Sequence, residues 1–213
     1  MTNPARFWDR ISARYARQPP ADEASYARKL AQTRARLQPD WELLEIGCGT
    51  GTTAIAHAPH VKRVRAVDFS EKMLAHGRER AAREAVENVV FDCAALDEID
   101  TSRPWDAVLM LSLLHLIPDW RGALDRAWAL TRPGGIFVSS TACMATMSLP
   151  LRMVLPLLAR LGLAPRLSSF SPDELAAAIA ARGFEIEERW QPGPRDAVFI
   201  IARRPTERVV RES

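Results

Sequence analysis

Short apolar runs alternating with longer amphipathic ones organise this chain. LLEI (43–46), VRAVD (64–68), NVVFD (88–92), DAVLML (106–111) and IFVSST (136–141) have the length and branched apolar content of buried strands. Between them lie helical patterns: TTAIAHA after the first, SEKMLAHGRERAAREAV after the second with Ser70 as its cap, and a stretch near Trp120 to Leu130 after the fourth. The dipeptide Gly134-Gly135 in RPGG is expected to close that last helix. Strands separated by helices imply right-handed crossovers, so the expected class is α/β, a doubly wound parallel sheet.

The pattern has margins on both sides. ADEASYARKLAQTRARLQ (21–38) predicts a helix, and Phe7, Trp8, Ile11 and Tyr15 predict another before it. Downstream, SLPLRMVLPLLARLGLAPRLSSF is apolar, broken by Pro150, Pro156 and Pro165, and free of acids. Its Leu151, Val154, Leu155, Leu158 and Leu161 fall on one helical face, which suits a core cap, a lid over an apolar acceptor, or weak membrane-surface contact through 149–163. At SPDEL, Ser171, Pro172 and Glu174 predict a capping box. FEIEERW and AVFIIARR then read as strands, and the short QPGPRD between them permits only antiparallel pairing. One domain is expected over 1–213: an N-terminal helical lid (1–40), a cofactor-binding core (41–141), an apolar helical insertion (142–170), and a C-terminal helix with a β-hairpin (171–205). No internal repeat interrupts it.

Composition narrows the partners. With 47% hydrophobic and 26% charged residues, the 213-residue chain is of ordinary globular type. Lys and Arg exceed Asp and Glu by only 29 to 26, no dense basic tract is present, and no nucleic-acid partner is expected. Cys48, Cys93 and Cys143 are widely spaced and lack a CxxC pair, so neither a disulfide framework nor a metal site is expected. His57, His60 and His76 also lack ligand spacing and are expected to face solvent. A charged N-terminus without a continuous apolar stretch, and no spanning segment, lead to the expectation of a cytoplasmic protein.

The chemistry begins where the first strand ends. LLEIGCGTG places Gly47, Gly49 and Gly51 at every second position, and Thr52 stands where a dinucleotide fingerprint has its third glycine. Such a turn lets a ligand approach the backbone and offers N–H groups, with that of Cys48 among them, to a negative group. Glu45, two residues earlier, opposes an adjacent pyrophosphate and suits an ammonium group. An amino-acid moiety answers both features, which counts against a nicotinamide-dependent oxidoreductase. Asp68, at the end of the second strand, suits the two hydroxyls of a ribose. Asp92 and Cys93, at the end of the third, suit an adenine edge, and Phe69 and Met73 can flank its ring.

These pieces, with AVDFSEKML, VFDCAALDEI, WDAVLMLSLLHLIPD and RPGG, resemble the class I S-adenosylmethionine-dependent methyltransferases from Leu43 to about Thr141, with a continuation to Pro205. The resemblance implies a Rossmann-like seven-stranded, mostly parallel sheet with an antiparallel last strand, and S-adenosyl-L-methionine as cofactor. It implies that Glu45 and the glycine turn meet the methionyl end, Asp68 the ribose, and Asp92 with Cys93 the adenine. Leu111 and Ser112 would lie beneath the methionyl group, where the acceptor pocket opens. Cys93 departs from a frequent alanine at a position that acts through its backbone. The expected activity is methyl transfer to a small-molecule or lipid-like acceptor, against the alternative of a binding module without turnover. Tyr15 is a candidate lid contact. His115 is a candidate in the acceptor pocket, but a hydrogen-bonded histidine fixing its loop is the favoured reading, and no catalytic base is assigned.

Overall fold

The computed structural model describes residues 5–143 and 167–206. The apolar run 149–163 therefore lies outside the described residues, as does most of the expected insertion. Two helices, α1 (Ala5–Tyr15) and α2 (Glu23–Arg34), precede a repeating core of β1 (Glu42–Ile46), α3 (Thr52–His57), β2 (Arg63–Asp68), α4 (Glu71–Arg83), β3 (Val89–Cys93), β4 (Trp105–Leu111), α5 (Trp120–Leu130) and β5 (Thr131–Thr141). After residue 166 come α6 (Pro172–Ala181), β6 (Glu185–Trp190) and β7 (Val198–Arg203). The strands form one sheet in the order β3-β2-β1-β4-β5-β7-β6. β1 to β5 pair in parallel and β7 runs antiparallel to both β5 and β6, which is the expected mixed seven-stranded sheet.

The period of two along each strand divides the core into two layers. On β1, Leu43 packs on the side of α3 and α4, with Ile55 and Leu74; Leu44 and Ile46 pack on the side of α5 and α6, with Leu124 and Ile179. Glu45 shares the first of these faces with Leu43, so an acid projects into what is otherwise an apolar layer.

Local signals hold where a side chain meets a nearby backbone group. Ser70 Oγ accepts from the Met73 N–H at 3.3 Å and starts α4. Ser171 and Glu174 close the predicted capping box, with Glu174 N donating to Ser171 Oγ at 3.1 Å and Ser171 N to a Glu174 carboxylate oxygen at 2.7 Å.

RPGG behaves differently from expectation. α5 stops at Leu130, and Thr131 to Thr141 is one strand whose register against β4 shifts between Trp105 and Ala107. The glycines form an irregularity in β5, with Gly134 at φ +79° and its N–H bonded to Arg204 O at 2.7 Å. The strand wins because the Gly134 N–H is held by the carbonyl of Arg204, just after β7 and more than sixty residues away.

Candidate functional site

The chain turns sharply where β1 ends. The N–H groups of Gly47 and Cys48 both donate to Val67 O, at 2.7 and 3.0 Å, which fastens the turn to the end of β2. Gly47, Gly49 and Gly51 all have positive φ, at +69°, +54° and +67°. A side chain at the three positions would meet different neighbours. At Gly51 a methyl group would overlap the Phe91 ring, and at Gly47 it would lie 2.8 Å from a terminal carbon of Leu113. At Gly49 it would meet only Tyr15, at 3.7 Å. The first and third glycines thus serve packing, and the middle one faces open space.

That space is a cavity of about 660 Å³ between the N-terminal helices, the carboxyl ends of β1, β4 and β5, and the β6–β7 turn. The volume falls within the roughly 300–1,000 Å³ of small-molecule sites. Of the residues read from the sequence, Tyr15, Glu45, Gly47, Cys48, Gly49, Leu111 and Ser112 line it. Ser112 adopts φ +53°, uncommon for a residue with a side chain, and its N–H donates to Ser140 O at 2.6 Å.

Glu45 is the electrostatic centre of this wall. It is 3% exposed, and its Oε2 has no hydrogen-bond partner among the described residues. Burial, reinforced by the Asp68 charge, pushes its carboxyl up to about 8. A buried acid without a partner is costly to ionise, and a cationic group brought into the cavity would reverse that cost.

Asp68 holds the turn itself. One oxygen accepts from Gly49 N and the other from Ser70 N, each at 2.9 Å. Burial raises its carboxyl and these backbone bonds oppose the shift. Ser70 Oγ in turn donates to Asp9 of α1 at 2.6 Å, so the first helix is tied down over β2. Tyr15, at the end of α1, has its phenol raised by burial first and then by Asp68 and Glu45.

The remaining predicted residues lie elsewhere. Phe69, Met73, Asp92 and Cys93 are not among the cavity's lining residues, and Met73 is buried under α4. The register pairs Cys93 with Asp68 and Asp92 with Val67, so Cys93 shares the face of Asp68 while Asp92 lies on the opposite one. There Asp92 accepts from Arg65 Nε at 2.6 Å, beside Arg63, Val90, Asp100 and Trp105. Cys93 itself is exposed. His115 also lies off the cavity; its carbonyl accepts from Ser168 N at 2.8 Å, and burial lowers its imidazole to about 4.

His57 departs from the expected solvent position. It is 1% exposed and lines the cavity, because α2 folds over α3 and Arg34 donates to Ala56 O at 2.8 Å. Burial, then Arg34 and His60, lowers its imidazole to about 3. A folded value below the unfolded one means that stability is complete above about pH 6.5 and is lost as pH falls toward 3. Replacing His57 by glutamine should therefore flatten the acid limb of urea-unfolding free energy between pH 6.5 and 4 by about 1.4 kcal/mol per pH unit. An unchanged slope would show that His57 does not titrate in this way.

Several lining residues escaped the sequence reading. Tyr26 Oη lies 3.3 Å from Thr53 Oγ1, Lys29 Nζ donates to Ser140 Oγ at 2.9 Å, and Arg80 bonds Thr52 Oγ1 and Ala16 O. Ser140, at the carboxyl end of a parallel strand, had a readable signal, since open α/β sheets bind ligands there. Lys29 and Tyr26 sit in a helix of ordinary composition and had none.

Comparison with known proteins gives this arrangement a lineage. Residues 44–137 match the family described as "Methyltransferase domain". Ubiquinone biosynthesis O-methyltransferase from Acinetobacter baumannii is 28% identical over 102 residues, covering 47% of this chain and 43% of that protein. The tRNA 5-carboxymethoxyuridine methyltransferase of Escherichia coli is 33% identical over 97 residues, covering 44% and 37%. The chain spans less than half the length of these curated relatives. Among solved structures, the N-methyltransferase NodS from Bradyrhizobium japonicum WM9 in complex with S-adenosyl-L-homocysteine superposes with a TM-score of 0.72 at 18% identity, over 96% of this chain and 100% of that one. The DhpI–SAH complex gives 0.73 at 21%, over 96% of each. At such identities the structures establish the fold, and the family match bears out the methyltransferase resemblance of the core.

Proposed function

We propose that this protein, whose residues 44–137 match the family described as "Methyltransferase domain", transfers a methyl group from S-adenosylmethionine to a small-molecule or lipid-like acceptor. The observation that carries the reading is Glu45: a buried carboxylate with an unpartnered oxygen, set beside a glycine turn that opens on a cavity of about 660 Å³. The charge fits the ammonium of an amino-acid moiety, whereas the N–H groups of Gly47, Cys48, Gly49 and Gly51, expected to meet its carboxylate, are bonded within the protein.

When bound, S-adenosylmethionine supplies an electrophilic methyl group on a cationic sulfur. The chain's own residues then have three tasks. Glu45 accepts hydrogen bonds from the ammonium, and Gly49, without a side chain, leaves room for the methionyl group. Asp68, which keeps lone pairs beyond its bonds to Gly49 N and Ser70 N, would accept from the ribose. Cys93 shares the face of Asp68 and would meet the adenine, whereas Asp92 is engaged by Arg65 on the opposite face. Tyr15, at the end of α1, lines the cavity and would contact the bound cofactor there. Holding an acceptor in line over Leu111 and Ser112 is worth roughly 7–11 kcal/mol of the barrier, so orientation accounts for most of the catalysis expected here. The acceptor's own proton is not assigned to a base.

Titration calorimetry with S-adenosylmethionine and S-adenosylhomocysteine tests the cofactor, and transfer of labelled methyl to a metabolite panel tests the reaction. Saturable binding of both and a labelled product are expected. Absence of heat with either ligand would remove the reading, and binding without any labelled product would leave a binding module in its place.

A further inference from the structure

The cavity has a second charged end. Lys29, midway along α2, lines it and donates from Nζ to Ser140 Oγ at 2.9 Å, with the Trp190 ring 6.0 Å away. Among the described residues that hydroxyl is the ammonium's one hydrogen-bond acceptor, and no carboxylate lies within ion-pair distance. Two of its three protons are therefore free to meet a ligand. Asp22 and Asp196 act on it only at longer range, and burial outweighs them in lowering its affinity for a proton. Asp22 is already occupied as the cap of α2, accepting from Ser25 N at 3.0 Å.

Position makes this cation informative. Ser140 is in register with Leu111, and its carbonyl receives the Ser112 N–H, so Lys29 stands over the paired ends of β4 and β5. Glu45 lies on β1, on the other side of β4, in register with Leu109. Two strand spacings sideways and two residues along the strands separate Glu45 from Ser140 on one face of the sheet, or roughly 12 Å. The floor thus carries an acid suited to an ammonium at one side and an ammonium suited to an anion at the other. Leu111 and Ser112 lie between them.

We propose that the methyl acceptor carries a carboxylate, bound by the Lys29 ammonium at the ends of β4 and β5, with Ser140 fixing the ammonium in place. The inference rests on the methyl-transfer reading of the same cavity and adds the acceptor's chemical class to it. A singly charged group fits better than a phosphate, because Glu45, Asp22 and Asp196 also line the cavity and would oppose a second negative charge. Lysine is here an anchor for the acceptor, and its distance from the reacting methyl group is set by the acceptor's length.

The test uses benzoate and benzamide, a matched anion and neutral molecule, titrated into the full chain with and without S-adenosylhomocysteine. The readouts are the Lys29 side-chain ε-methylene signal by NMR and calorimetry of each ligand. Benzoate should move that signal saturably while benzamide at equal concentration leaves it in place. Lys29→Met should weaken benzoate about tenfold or more, Lys29→Arg should retain it within a few-fold, and both should bind S-adenosylhomocysteine as the parent does. Equal binding of benzoate and benzamide, undiminished benzoate binding by Lys29→Met, or a Lys29 signal unmoved at tens of millimolar benzoate would each overturn the proposal. If S-adenosylhomocysteine fails to bind while benzoate still depends on Lys29, the methyl-transfer reading falls and the carboxylate site stands.

Discussion

Replacing Glu45 by glutamine should cost roughly 100-fold or more in affinity for S-adenosylhomocysteine and, at pH 8 and above, should raise the stability of the free protein. Both effects have one source. The side chain is buried at the end of β1 with its carboxyl raised to about 8, so the folded protein resists ionising it. Because the folded value lies above the unfolded one, stability is complete below about pH 4.5 and declines as pH rises through 8. Glutamine removes that decline, a gain on the order of a few kcal/mol in alkaline solution, and also removes the negative charge that an ammonium needs.

The same residue sets the pH dependence of binding. A ligand ammonium favours the ionised carboxylate, so the parent protein releases a proton on binding below pH 8. Its dissociation constant should fall about tenfold for each pH unit gained toward 8 and level off above it, whereas Glu45→Gln should show a flat profile. Calorimetry in buffers of different ionisation enthalpy reads the proton directly. A flat profile for the parent would show that Glu45 does not face the ammonium.

The second large effect concerns Gly51, where alanine should destabilise the fold by about 2–5 kcal/mol. Left-handed backbone costs an ordinary residue roughly 1–2 kcal/mol, and overlap with a packed ring adds about 1–3. The ring is that of Phe91, whose same edge also fills the space beside Gly77 of α4. Gly49→Ala is the control. It carries a similar positive φ and meets only Tyr15 at 3.7 Å, so it should pay the backbone strain alone, fold, and lose cofactor affinity as its methyl group enters the cavity. Thermal unfolding and calorimetry on the two variants separate packing from binding; equal losses of stability would contradict the division of roles within the turn.

Much of the architecture was readable because its causes are local. The seven strands, the cap at Ser70 and the box at Ser171 and Glu174 follow from neighbours within a few residues. The glycine spacing identified the turn for the same reason, and Glu45 was legible because an acid within a buried strand demands a partner. What escaped depends on long-range placement. RPGG has the composition of a helix stop, yet Gly134 bonds Arg204 and becomes part of a strand. Asp92 ends its strand as expected, but the side-chain period sends it to the face where Arg65 waits. His57 looks like any polar helix residue until α2 covers it, and Lys29 acquires its meaning only from Ser140, 111 residues away.

The order of strands also bears on how the chain matures. Among the described residues β6 pairs with β7 alone, and β7 occupies the place between β6 and β5. During synthesis β6 therefore emerges before the strand that gives it a neighbour, and its ladder forms only once residues 198–203 are available. The nascent sheet ends at β5 until then, with the β5 edge open to pairing with other chains. Completion of the sheet thus waits on residues 198–203, which pair with both β5 and β6.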